Sequence, residues 1–80
     1  MTISLHILSP EGTLVETRAE LVSLPGVVSP FTVLPGHAAM VTALTKGKIR
    51  YVENSTEKFL PIREGFVEVR DNQVEVCVEV

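Results

Sequence analysis

The chain has 80 residues, 45% of them hydrophobic, and a formal net charge of −3, so it is long enough for one small domain, residues 1–80, and no second one. The acidic balance and an aromatic content of 5% argue against a nucleic-acid-binding surface. The longest apolar run, Ala38 to Val41, is far shorter than the roughly 20 residues that a membrane-spanning helix needs, and the N-terminus lacks the basic and apolar regions of a signal peptide.

The single cysteine, Cys77, and the two separated histidines, His6 and His37, limit how this small domain can be stabilised. One cysteine cannot form an internal disulfide, and this set has no zinc-ligand spacing, so we expect neither a metal nor another cofactor. A chain this short buries only about 60% of the surface that it exposes when unfolded, and it usually needs additional support. We therefore expect a protein partner, and the lone thiol fits a reducing, cytosolic compartment.

Apolar and polar residues alternate with a period of two along almost the whole chain, which is typical of β-strands rather than helices. Short segments rich in Gly, Pro, Asn and Asp separate the alternating runs. In chain order the predicted strands are 3–8, 13–17, 20–24, 31–34, 39–44, 48–52, 59–62, 66–70 and 73–80. This spacing predicts an all-β fold of about ten short strands, a β-sandwich or a barrel, in which Pro61 marks an edge strand.

The segment from Leu34 to Ala38 joins two of these strands. Pro35 fixes φ and lacks an N–H, so the strand before it must stop or lie at an edge, and Gly36 permits the positive φ of a tight turn. His37 follows at the exposed tip. The simpler interpretation of His37 is a solvated turn residue, and the alternative is an interface residue on a rigid corner.

No group of residues supports catalysis. Glu64 and Glu68 have the same strand parity and could form an acid–base pair, but no nucleophile motif accompanies them. Cys77 has no cationic neighbour in the sequence that would favour a thiolate. We therefore expect Cys77 to be a small apolar filler under a partner, and the chain not to be an enzyme by itself.

Several motifs occur in an order and spacing that resemble one family. They are Ile7 to Gly12, Leu24 to Gly26, Phe31 to Ala38, Leu44 to Arg50, Gly65 to Val69 and Asn72 to Val76. Together they cover essentially the whole chain and closely resemble the N-terminal β-sandwich of the ATP synthase epsilon subunit, which is called delta in mitochondria. The resemblance implies a two-sheet β-sandwich of about ten strands and a non-catalytic role in the rotor of the enzyme.

The resemblance also implies partners and a location. The domain would dock the gamma subunit to the c-subunit ring and help couple proton-driven rotation to ATP synthesis, as a peripheral component at the cytoplasmic face of the bacterial inner membrane. By position, the residues that correspond to the gamma-facing set are Ser9, Met40 and Thr42, and those that correspond to the c-ring-facing end are Val28, Ser29, Pro30 and His37.

Two departures from the family pattern bear on these expectations. After the first Pro-Gly the family often has an acidic, glycine-containing segment of the form Ser-Glu-Gly-Glu, where this chain has Val27-Val28-Ser29-Pro30, so we expect an apolar, rigid ring contact. The family also usually continues into a C-terminal helical hairpin, which binds ATP in some members, whereas this sequence stops at Val80. We therefore expect a short form or a trimmed chain, with no nucleotide site within these residues.

The residues leave open an alternative, a free-standing β-sandwich binding module of the carrier or carbohydrate-binding type. A carrier needs a cofactor-bearing lysine at an exposed hairpin tip, and Lys46 and Lys58 lie near turns without the flanking residues of such a tip. A carbohydrate-binding module needs exposed aromatic rings for stacking, and one tyrosine and three phenylalanines leave few rings beyond the core.

Overall fold

The computed structural model describes all 80 residues and contains nine β-strands and no helix. The strands are β1 (Ile3–Ser9), β2 (Gly12–Ala19), β3 (Leu21–Leu24), β4 (Phe31–Val33), β5 (Met40–Leu44), β6 (Gly47–Glu53), β7 (Thr56–Ile62), β8 (Glu64–Arg70) and β9 (Gln73–Glu79). Each coincides with a segment predicted from the sequence, so the all-β prediction is confirmed. The structure therefore has no helix that is long and apolar enough to cross a membrane.

Five strands (β1, β2, β6, β7 and β8) are longer than the apolar alternation predicted, and the extensions at the starts of β2 and β7 show why. β2 begins at Gly12, opposite Ser9 of β1, and β7 begins at Thr56, opposite Glu53 of β6. Both extensions bring a hairpin up to its turn, because backbone pairing between adjacent strands does not require apolar side chains. The alternation of apolar residues therefore predicted the part of each hairpin that packs on the core, but not the polar residues next to its turn.

The strands form two sheets that pack face to face. The larger sheet has the order β2-β1-β9-β8-β5, and the smaller one has the order β4-β3-β6-β7. All neighbouring strands are antiparallel except β1 and β9, which run parallel inside the larger sheet. This arrangement is the two-sheet β-sandwich that the resemblance implied.

One core of 16 buried residues fills the space between the sheets. In β1, Ile3, Leu5 and Ile7 are fully buried, and β9 buries every second residue from Val74 to Val78. No polar or charged residue is buried. Because fully burying an aliphatic side chain contributes about 1.5–3 kcal/mol, this alternation holds the two sheets together and directs the residues of opposite parity to two outer faces.

Two hairpin turns have a left-handed backbone at both of their central residues. Asn54 and Ser55 connect β6 to β7 with φ values of 50° and 62°, and Asp71 and Asn72 connect β8 to β9 with φ values of 51° and 59°. Positive φ at both central residues is the mark of a type I′ turn, whose twist matches that of the flanking strands. Asn and Asp tolerate this backbone better than most residues, which explains why these turns fall where they do.

The two flanks of the sandwich are closed in different ways. On one side, the Thr17 hydroxyl of β2 donates a hydrogen bond to the Glu53 carboxylate of β6, and Lys58 Nζ donates to the same carboxylate at 2.7 Å. On the other side, residues 34–39 cross from β4 to β5, and each of those strands is the edge of its sheet. Pro61 lies in β7, also an edge strand, as predicted, so its missing N–H breaks no ladder.

The Glu53 cluster gives a pH-dependent contribution to stability. The hydrogen bond from Lys58, with that from Thr17, holds the pKa of Glu53 below its ordinary value of 4.5. Because the pKa is the lower one in the folded state, this contribution is present above the ordinary pKa and is lost as the pH falls through the folded-state pKa. We expect Lys58→Met to raise the titration midpoint of Glu53, measured from its carboxyl carbon shift by NMR. Lys46→Met, which removes an exposed lysine without an ion pair, should leave that midpoint unchanged; an equal effect of the two variants would contradict the assignment.

Candidate partner-binding surface

The segment between β3 and β4 is held close to the end of β5. Gly26 forms a bridge with Leu44, Val27 N donates to Ala43 O at 3.0 Å, and Thr45 N donates to Pro25 O at 2.8 Å. Gly26 is required because a Cβ there would lie 2.6 Å from the carbonyl oxygen of Ser29 and 3.0 Å from the ring of Phe31.

The residues after Gly26 form the exposed tip of this segment. Val28 retains 91% of its surface exposed, and Ser29 and Pro30 are also exposed. The tight turn beneath them fixes the backbone from which they project. These three predicted ring-facing residues therefore lie together on a rigid, apolar tip that carries no charge.

The corner from Leu34 to Ala38 has the predicted geometry. Gly36 has a φ of 87°, and His37 N donates to Leu34 O at 3.1 Å. Gly36 N donates to the side-chain oxygen of Asn72 at 2.7 Å, which ties the corner to the β8–β9 turn. His37 itself was expected at an exposed tip, but it is half-buried, and its Nδ1 hydrogen-bonds to Ala38 O at 2.7 Å.

His37 and the apolar tip are attached at opposite ends of β5. The tip is bonded to Ala43 and Leu44, at the end of the strand, whereas the corner precedes Met40, at its start. The His37 ring nevertheless lies 6.5 Å from the ring of Phe31, the residue that follows the tip. The four predicted ring-facing residues thus share one flank of the sandwich, although His37 is not part of the tip.

The three predicted gamma-facing residues do not form one contiguous patch. Met40 and Thr42 lie opposite Val69 and Val67, which are buried, so both point inward from the edge strand β5 and are half-buried. Ser9 ends β1 and lies beside a groove on the outer face of the larger sheet. A partner could contact Met40 and Thr42 only by covering the edge of the larger sheet. It could contact Ser9 only on the outer face of that sheet.

An apolar row that was not predicted from the sequence lies on that outer face. Leu8 of β1, Cys77 of β9, Phe66 of β8 and Ala43 of β5 are successive neighbours in the strand pairing. We call these four residues the outer apolar row. Phe66 is 51% exposed, and Val27, which is bonded to Ala43, extends the row with a further 54% exposed side chain.

A groove runs along this row where β1 and β9 end. It has a volume of about 480 Å³, and its floor and walls are formed mainly by Leu8, Pro10, Phe66, Cys77 and Val78, with Ser9, Glu64 and Glu79 at the polar side. The outer apolar row and the groove together form a continuous apolar surface outside the core. Contiguous exposed apolar surface of this kind marks interaction sites in soluble proteins.

The outer face of the smaller sheet is different, because its charged residues are satisfied within the chain. Arg50 Nη1 donates to the Glu57 carboxylate at 2.7 Å, and Lys48 lies over the ring of Phe59 at 5.9 Å. Lys58 is paired with Glu53, as described above. Phe59, 54% exposed, is an isolated ring on this face rather than part of an apolar patch.

Comparison with known proteins gives a consistent family assignment for residues 2–80, which match the model of the ATP synthase delta/epsilon chain β-sandwich domain. The chain is 40% identical over 78 residues to the ATP synthase epsilon chain of Lawsonia intracellularis and 37% identical over 78 residues to that of Desulfitobacterium hafniense. Each match covers 98% of this chain and 59% of the relative, so the chain spans about three fifths of the length of these relatives.

Solved structures give the same fold. A chain of the Euglena gracilis mitochondrial ATP synthase superposes with a TM-score of 0.89 at 20% identity, over 96% of this chain and 50% of that chain. A chain in the central stalk and c-ring of the Tetrahymena thermophila mitochondrial ATP synthase superposes with a TM-score of 0.83 at 14% identity, over 100% of this chain and 65% of that chain.

Proposed function

Because the chain belongs to the β-sandwich family of ATP synthase delta and epsilon chains, we propose that it acts in the central stalk of an F-type ATP synthase. In this proposal it is a non-catalytic rotor subunit that docks the gamma subunit to the c-subunit ring. It thereby helps couple proton-driven rotation of the ring to ATP synthesis. It is peripheral to the membrane, on the cytoplasmic face of the bacterial inner membrane.

The observation that carries this proposal is the outer apolar row. Its central residue, Phe66, belongs to β8, which lies between β9 and β5 in the sheet, and its side chain is half-exposed on the outer face. Burying the exposed half of this ring against a partner contributes about half of the roughly 1.5–3 kcal/mol that full burial of such a side chain provides, and large aromatic residues at the centre of an apolar patch often dominate the affinity of an interface. We assign the gamma contact to this face, with Ser9 at the groove and with Met40 and Thr42 reached around the edge of β5.

The c-ring contact is assigned to the apolar tip. Val28, Ser29 and Pro30 project without a charge or an ion pair, so their contact with the ring is one of shape and apolar area. His37 lies farther along the same flank, beside Phe31, and is placed to contribute at the margin of that contact. The two proposed surfaces meet at Val27, which extends the outer apolar row from the base of the tip.

Complex formation with the gamma subunit tests the proposal directly. The chain is co-expressed with the gamma subunit of the same organism, and the mixture is separated by size-exclusion chromatography at micromolar concentration. We expect the two proteins to elute together in equal amounts, and the complex to retain purified c-ring in detergent. Separate elution of the chain and the gamma subunit would refute the proposed function.

A further inference from the structure

We propose that the groove on the outer face receives a lysine or arginine side chain carried on an apolar segment of the partner. The inference deepens the proposed function and rests on it, because it specifies the chemistry of the gamma segment that docks here. It follows from the carboxylates that border the outer apolar row, three of which, Glu64, Glu68 and Glu79, form no ion pair within the chain.

One pair of carboxylates lies at the mouth of the groove. Glu64 of β8 and Glu79 of β9 are directly opposite each other in the strand pairing, and both line the groove. Side chains in such positions have Cβ atoms about 4.5–5.5 Å apart, and like charges there are destabilising. Neither carboxylate forms an ion pair, and neither does the neighbouring Arg63.

A second pair lies on the other side of the row. Glu68 and Glu75 are also directly opposite each other on β8 and β9, one step beyond Phe66 and Cys77. Glu75 is hydrogen-bonded to the Nδ1 atom of His6 at 3.0 Å, whereas Glu68 has no ion-pair partner. The β8–β9 hairpin therefore presents an apolar strip between two pairs of acidic residues.

A cationic side chain with a long aliphatic stem fits this arrangement. Its methylene groups would pack on Leu8 and Phe66, and its charged head would reach Glu64 and Glu79, in the way that lysine and arginine commonly combine apolar and ionic contacts. An arginine would additionally stack on the half-exposed ring of Phe66. The like-charge repulsion present in the free chain would then be relieved on binding.

The same charges disfavour other occupants. A second copy of the chain docked on this face would bring its own carboxylate pairs against those of the first, and like-charge juxtaposition opposes such an interface. An anionic lipid surface would be repelled for the same reason. The groove thus favours a basic, partly apolar protein segment.

The test removes the groove charges without changing side-chain size. The variant combines Glu64→Gln with Glu79→Gln, and the control combines Glu57→Gln with Asp71→Asn. The control also removes two exposed negative charges, one from the smaller sheet and one from the turn at the opposite end of the β8–β9 hairpin. The dissociation constant for the gamma subunit is measured at low and high salt, and thermal melting verifies that all forms are folded.

We expect the groove variant to bind gamma about tenfold or more weakly at low salt, with a flatter salt dependence, and the control to bind as the parent does. If the parent binds gamma and the groove variant binds equally well with the same salt dependence, the inference fails while the proposed function stands. If the parent does not bind gamma, both fail. Sedimentation of the parent as a dimer that the groove variant strengthens would overturn the inference in favour of a second copy.

Discussion

Replacing Phe66 with Glu is expected to reduce binding to the gamma subunit by about a hundredfold or more, which corresponds to roughly 3 kcal/mol. Phe66 lies at the centre of the outer apolar row, between Ala43 and Cys77. Glutamate there would remove the ring on which the partner packs, and its carboxylate would lose hydration in the complex and lie beside Glu64 and Glu68, two residues from each. Isothermal titration calorimetry with purified gamma measures the loss.

The fold should tolerate this change, because Phe66 is 51% exposed and exposed substitutions usually alter stability by no more than about 0.5 kcal/mol. Phe59→Glu is the matched control, since Phe59 is 54% exposed on the outer face of the other sheet. It should bind gamma as the parent does. Loss of binding in the Phe59 variant alone would move the interface to the smaller sheet and refute our assignment.

The local side-chain pattern was sufficient to predict the strands. Val74, Val76 and Val78 alternate with Glu75, Cys77 and Glu79, and a period of two with one apolar parity determines both the strand and its buried face. The turns were equally local, since the backbone at Asp71 and Asn72 depends on residues that tolerate positive φ. The strands and turns can therefore be predicted without knowing which strands pair with each other.

The side-chain pattern could not predict that the residues of the outer apolar row are neighbours, although it did indicate that each of them lies on an outer face. Leu8, Phe66 and Cys77 each share the parity of polar residues on their own strand, which is the sign of an apolar residue on an outer face. Whether they touch depends on β1 pairing with β9 in parallel and on β9 pairing with β8 in a particular register. Both are long-range choices that the packing of the whole sandwich determines.

Strand order also explains the placement of Met40 and Thr42. The resemblance assigns them by position to the gamma-facing set, and their parity alone puts them with the buried Leu44. They remain half-buried rather than buried because β5 is the last strand of its sheet. A partner that covers this edge would bury them further, so Met40→Glu would disturb both the core and the interface, and outer-face variants separate the two effects more cleanly.

Replacing Gly65 with Ala is expected to be the most damaging small change to the fold, with a loss of about 3 kcal/mol in the free energy of unfolding. Gly65 lies in β8 opposite Val78, and a Cβ there would lie 2.3 Å from the carbonyl oxygen of Cys77 and 3.1 Å from the Cα of Val78. These are backbone atoms of β9, which is bonded on both sides by β1 and β8, so they cannot move aside as a side-chain tip could.

Urea denaturation followed by circular dichroism measures this loss, and the melting temperature should fall by roughly 12 °C or more, given about 4–8 °C per kcal/mol for a domain of this size. Glu64→Ala is the control, because it introduces no new atom at the adjacent, outward-facing position and relieves the repulsion with Glu79; it should change stability little or raise it slightly. A domain of this length has a total stability of about 4–12 kcal/mol, so a loss of about 3 kcal/mol removes roughly a quarter to three quarters of it. A loss below about 1 kcal/mol would mean that β9 can shift away from β8, and the groove walls formed by Phe66 and Cys77 would then be adaptable rather than rigid.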